Sequence, residues 1–266
     1  MCTVILRVPE TAGDPVRMLA VRDEDPDRPW QPLGEWWPSQ PGVVGVRDLR
    51  AGGAWLAADA SARRLAVLLN RHSPEVPEGV TPVSRGSVAL DAVAGRAVQP
   101  TQAMPGFNLV DIRPDGVRVI TWDGTSREEL LVPPGTHMIA HHDLNDPRTA
   151  RIVAWHDAFA GASTEDASAE DASADAVSVE GGAHPTIGGV GAASWARPWL
   201  EILARSAELD PADERAIIRD NRPAGWPTQS LLMCVASVTA DDLEVEYGAF
   251  AHPGRWNPVD LVPPIT

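Results

Sequence analysis

The chain begins Met-Cys, and Cys2 is one of only two cysteines, the other being Cys234. A cysteine in second position becomes the amino terminus once the initiator methionine is removed. Thiol and free α-amine then share one residue. An α-amine titrates near ~7.7–8.0 and a thiol near ~8.5, so the amine can accept the thiol proton at neutral pH. The chemistry this pairing suits is acyl transfer through a thioester. The other reading of Cys2 is a small apolar residue buried in a strand, which free cysteine often is.

Three further segments could complete such a site. Arg22-Asp23-Glu24-Asp25 offers a guanidinium and carboxylates. A nearby arginine favours the thiolate, and a carboxylate can hold the terminal ammonium or orient the arginine. The competing reading is a surface loop whose ion pairs contribute little. Asn70 follows the run RLAVLL, where its amide can donate to a developing oxyanion or simply make a turn. Residues 135–148, GTHMIAHHDLNDPR, hold His137, His141 and His142. On a helix, His137 and His141 would share a face. A zinc site would still need a third ligand, and there is no HExxH or cysteine-rich spacing, so no metal is expected. No P-loop, strand-following GxGxxG or GxSxG occurs either.

The elements that must position these residues read as short strands. TVILRV (3–8) and VRMLAV (16–21) form a hairpin around ETAGD, which would set residue 2 opposite residues near 22. The Pro-, Trp- and charge-rich stretch 22–42 reads as an irregular loop. Strands are expected at 43–48, 54–59, 64–69, 107–113, 117–122, 129–132, 230–238 and 243–250. Asp115-Gly116 is a hairpin signal, and the Gly52-Gly53 pair fits a tight turn. Helices are expected at 87–95, 195–207 and 210–220, the last with Asp210 as N-cap and Pro211 at its first position. Residues 161–182 are acidic, Ala/Ser-rich and free of bases, which predicts a disordered insertion. Strands bracket a helical region without regular βαβ alternation, so the expectation is an α+β fold with antiparallel sheets, one domain over 1–266.

Composition narrows the partners. The formal charge is −15 and every Lys/Arg position is arginine. That balance argues against nucleic acid or an anionic membrane as the main partner. No apolar run approaches the ~18 residues of a membrane span, and the N-terminal apolar stretch is too short for a signal peptide. Two distant cysteines make no disulfide framework. A cytoplasmic location is the expectation. The ten tryptophans, clustered at 30–37 and 195–226, could line a cavity or pack loops and helices.

Taken together, the opening MC plus strand, LAVRDED, VVGVRDLRAGGAWLAAD, RLAVLLNR, PGFNLVDI and PPGTHMIAHHDLNDPR resemble the NRDE family, also called the transport and Golgi organisation 2 family. It is related to the N-terminal-nucleophile hydrolases, and the MCT opening is similar to that of bile salt hydrolases and penicillin V acylases. The resemblance covers residues 1–155 and, weakly, WPTQSLLMCVASV. It implies a four-layer αββα sandwich of two antiparallel sheets with Cys2 as nucleophile. Its signature Asn is Val21 here, with Arg22, Asp23 and Glu24 kept. Acylase spacing points to Asp25 as the partner of the arginine, whereas the NRDE pattern points to Asp23, which is preferred. The family's Ser-Asn stands as Ala140-His141, and a C-terminal Arg as Gln229.

The expectation is therefore a cysteine hydrolase cleaving a small-molecule, non-peptide amide, without cofactor. Cys2 is the nucleophile, Arg22 stabilises the thiolate, Asp23 orients the amine, and Asn70 and His141 bind the oxyanion. The resemblance also implies an alternative, a non-catalytic protein of haem binding or trafficking, with haem held by His137, His141 or His142 and by Cys2.

Overall fold

Period-two burial organises the first hairpin. β1 (Thr3–Val8) pairs antiparallel with β2 (Val16–Glu24), from Thr3 opposite Val21 to Arg7 opposite Arg17. Cys2, Val4, Leu6, Met18 and Ala20 enter one core, while Ile5, Leu19 and Val21 enter another. Successive side chains of a strand point to opposite faces, so a sheet whose both faces are apolar must be covered on both.

The computed structural model describes residues 2–74, 76, 78–164 and 194–265. It holds two antiparallel sheets. The first runs β10-β1-β2-β11-β12, where β10 is Gly135–Ile139, β11 Gln229–Val238 and β12 Leu243–Ala249. The second runs in sequence order from β3 to β9: Trp30–Glu35, Val43–Asp48, Ala54–Asp59, Arg64–Asn70, Phe107–Arg113, Gly116–Trp122 and Arg127–Leu131.

The two sheets face one another across the core that contains Val4, Leu6, Met18, Leu56, Val67 and Ile112. On the far side of the five-stranded sheet lie α2 (Ala150–Gly161) and α3 (Arg197–Ser206), around Trp195, Trp199 and Phe159. On the far side of the seven-stranded sheet lies α1 (Ser87–Val93). The layers are thus α, β, β, α, as the α+β sandwich expectation has it. Arg7 ties the first helical layer to β1. It donates from Nε to Thr136 Oγ1 at 2.8 Å and from Nη2 to the Phe159 and Ala162 carbonyls at 2.8 and 3.0 Å. A cation there meets the negative end of α2 and its unpaired carbonyls. Among the described residues, no helix is long and apolar enough to cross a membrane.

Three local expectations are corrected, and one helix appears that none of them covered. The stretch 22–42 is not wholly irregular: β2 runs on to Glu24, and Trp30–Glu35 is a strand. Pro32 hides it, because proline supplies no amide to a ladder, yet an edge strand with a register break between Gln31 and Gly34 tolerates one. Residues 135–139 form β10 against β1, so His137 and His141 do not share a helical face. Residues 150–161 are helical without any reading having placed a helix there. Conversely, 210–220 is not a helix. Asp210 Oδ1 accepts from Ala212 N at 2.9 Å, and Asp213 Oδ1 from Arg215 N at 2.8 Å. These side-chain-to-backbone bonds compete with helical ones, and the turns win. The expected insertion begins inside the end of α2, and from residue 165 it lies outside the described residues.

Candidate active site

The register of the first hairpin decides what surrounds the sulfur. One step beyond the Thr3–Val21 pair sets Cys2 opposite Arg22, and Cys2 Sγ lies 3.6 Å from the Asp23 carbonyl oxygen. Cys2 is 7% exposed. Burial pushes its thiol pKa up, with the Asp23 carboxylate acting the same way. The charge of the amino terminus, the hydrogen bond to Asp23 and the Arg22 guanidinium pull it down without cancelling the burial.

Arg22 points with Cys2 toward the space between the sheets. Its guanidinium sits 6.0 Å from the centre of the Trp55 ring, and Nη2 lies 3.5 Å from Glu24 Oε2. Nη1 is buried without a hydrogen-bond partner. Glu24 also faces Arg28, which donates from Nε to Asp48 Oδ2 at 2.7 Å.

Asp23 points the other way. Ser230 Oγ donates to Oδ1 at 2.6 Å, and Asn221 Nδ2 donates to Oδ2 at 3.3 Å. A bulge makes this possible: β11 sets Ser230 opposite Asp23 but Leu232 opposite Arg22, so Leu231 is the extra residue. Arg219 braces both donors. Its backbone N donates to Ser230 Oγ at 2.8 Å, and its Nε to Asn221 Oδ1 at 2.8 Å. Asp25, the alternative partner, is instead turned into its own loop, accepting from Asp27 N at 3.0 Å. Gln229 donates to the Pro253 carbonyl at 3.2 Å and so braces the 253 loop.

Asn70 ends β6 and is exposed. It shares with Arg22, Glu24, Arg28, Asp48, Trp55 and Arg85 the lining of a cavity of about 330 Å³. Cys2 is not itself part of that lining. The cavity's outer wall is the loop 82–86, which lies against the start of β5: Ala54 N donates to Gly86 O at 2.9 Å. A Cβ on Gly53 would run into the Gly86 backbone, so only glycine permits this approach.

His141 does not line that cavity; it sits beside the helical layer, within reach of the charges of the amino terminus, Arg151 and Arg219. Arg151 Nη2 donates to its Nδ1 at 3.4 Å, which leaves the ring proton on Nε2. Its pKa is pushed down to about 3, first by burial, then by Arg151 and His142. The loop carrying it is clamped by Asn108, whose Nδ2 donates to the Ala140 and His142 carbonyls at 3.1 and 2.7 Å, while Oδ1 accepts from Thr121 Oγ1 at 3.1 Å. His137 is engaged at both ring nitrogens, with Pro133 O and Asn145 Nδ2 each at 2.9 Å, and His142 Nδ1 lies 3.1 Å from Thr149 Oγ1.

The depressed His141 pKa has a measurable consequence. Its folded value lies below the unfolded ~6.5, so between pH 6.5 and about 3 the unfolded chain binds more protons. Stability from this group is therefore present at neutral pH and is lost as pH falls through that window, by at most ~1.4 kcal/mol per pH unit. His141→Gln is expected to flatten the pH dependence of the urea midpoint between pH 7 and 4. Equal slopes in variant and parent would contradict the assignment.

Residues that sequence reasoning missed hold much of this arrangement. Asn221 and Ser230 come to Asp23 from 198 and 207 positions away, with no motif to flag them. Arg151 is 1% exposed, and its Nε and Nη1 have no hydrogen-bond partner. Burial lowers its pKa to about 10. Only an arginine on an otherwise apolar helix face could have signalled it. Among the described residues, no cluster of His, Cys, Asp and Glu could hold a metal ion.

A comparison with curated proteins finds no match. A family model described as Transport and Golgi organisation 2 matches residues 1–179, from Cys2 and the first hairpin through β10 and α2. Since that match spans most of the chain, the protein belongs to the Transport and Golgi organisation 2 family.

Proposed function

We propose that the protein is a cysteine hydrolase of the N-terminal-nucleophile kind, cleaving a non-peptide amide with Cys2. The observation that carries this reading is the hairpin register, which puts the Cys2 thiol opposite Arg22 and against the Asp23 carbonyl, next to a polar cavity. Because burial keeps the thiol protonated at neutral pH, a base must be at hand. Removal of Met1 would supply it as the α-amine of Cys2.

In this reading the amine takes the thiol proton and sulfur attacks the amide carbon. The C–N bond breaks as the ammonium returns a proton to the leaving amine. Water then hydrolyses the thioester, giving a carboxylic acid and restoring the thiol. Arg22 stabilises the thiolate, and Asp23, held by Ser230 and Asn221, orients the amine. Asn70 serves the oxyanion from the cavity wall. His141 can act on the oxyanion only as a neutral donor through Nε2. A haem-binding role has less support, because none of His137, His141 and His142 lines the cavity and His137 is engaged on both sides.

Two measurements test the proposal on the full chain. Intact mass is expected to show loss of Met1, and iodoacetamide is expected to alkylate residue 2 under native conditions. A chain that retains Met1 and leaves Cys2 unlabelled would remove both nucleophile and base.

A further inference from the structure

The charges lining the cavity do not balance. Among the described residues of the lining, Arg22, Arg28 and Arg85 meet only Glu24 and Asp48. Arg28 pairs with Asp48, and Glu24 lies between Arg22 and Arg28. Arg85 forms no ion pair among the described residues. Its Nη1 donates to the Gly106 carbonyl at 2.7 Å, which holds the guanidinium in place, and its Nε and Nη2 make no hydrogen bond among the described residues. In a chain of net charge −15, a fixed guanidinium that makes no ion pair among the described residues stands out.

The carboxylate and hydroxyl acceptors of the lining are already engaged. Asp48 Oδ1 receives Arg50 N and Ala51 N, Glu24 Oε1 receives Asp25 N, and Ser84 Oγ receives Gly86 N. A lining with one guanidinium more than its carboxylates favours an anionic ligand whose oxygens accept hydrogen bonds. Burial lowers the Arg85 pKa; the Glu24 carboxylate acts against it and Arg28 with it, and the net lowering is one that an incoming anion would relieve.

We infer that the cavity takes an amide substrate bearing a carboxylate, such as an N-acyl amino acid, and that Arg85 is the residue that holds the carboxylate. The amide part rests on the hydrolase reading above, and the carboxylate part on the cavity alone. An arginine fork matches a carboxylate with two parallel hydrogen bonds. A volume of about 330 Å³ is at the small end of ligand pockets, enough for an amino-acid head and a short acyl chain.

The test uses binding, so it does not depend on turnover. Hexanoylglycine and its methyl ester are titrated calorimetrically into the full-length Cys2→Ala protein at low salt. The acid is expected to bind at least ten-fold more tightly than the ester, and inorganic phosphate at equal concentration is expected not to displace it. Arg85→Gln is expected to abolish the preference, while Arg85→Lys, which keeps the charge if not the fork, retains part of it and controls for a displaced loop. Equal binding of acid and ester, a preference surviving Arg85→Gln, or displacement by phosphate would each overturn the carboxylate assignment. Failure of Cys2 to react with iodoacetamide would overturn the hydrolase reading instead, leaving an acid-over-ester preference standing.

Discussion

Cys2→Ala is expected to reduce amide turnover by at least ~10⁴-fold, since removing the nucleophile of a covalent mechanism removes the step that every other group serves. The fold should survive. Cys2 precedes the first ladder pair of β1, and losing one sulfur from a nearly buried position costs on the order of 1 kcal/mol. Cys234 provides the contrast. It is fully buried in β11, and burial pushes its thiol pKa far up, so it is not a usable nucleophile. Cys234→Ala is expected to keep turnover and labelling while losing comparable stability. Turnover retained in Cys2→Ala would end the case for a cysteine enzyme, whatever the family.

The largest loss of stability is expected from Asp23→Ala. The carboxylate is 4% exposed and receives Ser230 Oγ and Asn221 Nδ2, while its charge also acts on buried Arg151. Alanine leaves two buried donors unpaired and removes the anion from a neighbourhood of arginines. Breaking a buried charged network by removing one partner costs ~3–5 kcal/mol. A fall of the urea midpoint by that equivalent, at unchanged slope, is the expected result. Asp23→Asn separates structure from chemistry, because it keeps the shape and one acceptor but not the charge. It is expected to fold with a smaller loss and still turn over poorly, since a neutral amide cannot hold an ammonium. An Asp23→Asn protein with full turnover would leave the residue a purely structural part.

The local pattern carries a good share of this molecule. The strands at 3–8, 43–48, 54–59 and 107–113 stand where the sequence reading puts them, because short β-branched runs between turn residues have few other ways to bury themselves. The same hairpin arithmetic brings Cys2 and Arg22 together, since register follows from turn length and the alternation of faces. Where local signals compete, the pattern misleads. Asp210 and Pro211 announce a helix, yet the side chains of Asp210 and Asp213 bond their own backbone and stop it. α2 has no side-chain cap bond and buries only Arg151, Ile152 and Phe159, so little in its sequence marks it as a helix.

What Met-Cys-strand and the Arg22-Asp23 end of β2 determine by themselves is a cysteine opposite an arginine, a pairing made within one hairpin. Which way Asp23 faces, what holds it, and what the cavity lacks were decided only by tertiary structure. Asn221 and Ser230 arrive through a bulge in a distant strand, and Arg85 through a loop that glycines allow to lie against β5. Such contacts depend on packing between elements far apart in the chain, where no spacing rule connects the residues. An unpaired guanidinium can be recognised as unpaired only once all of its neighbours are in place.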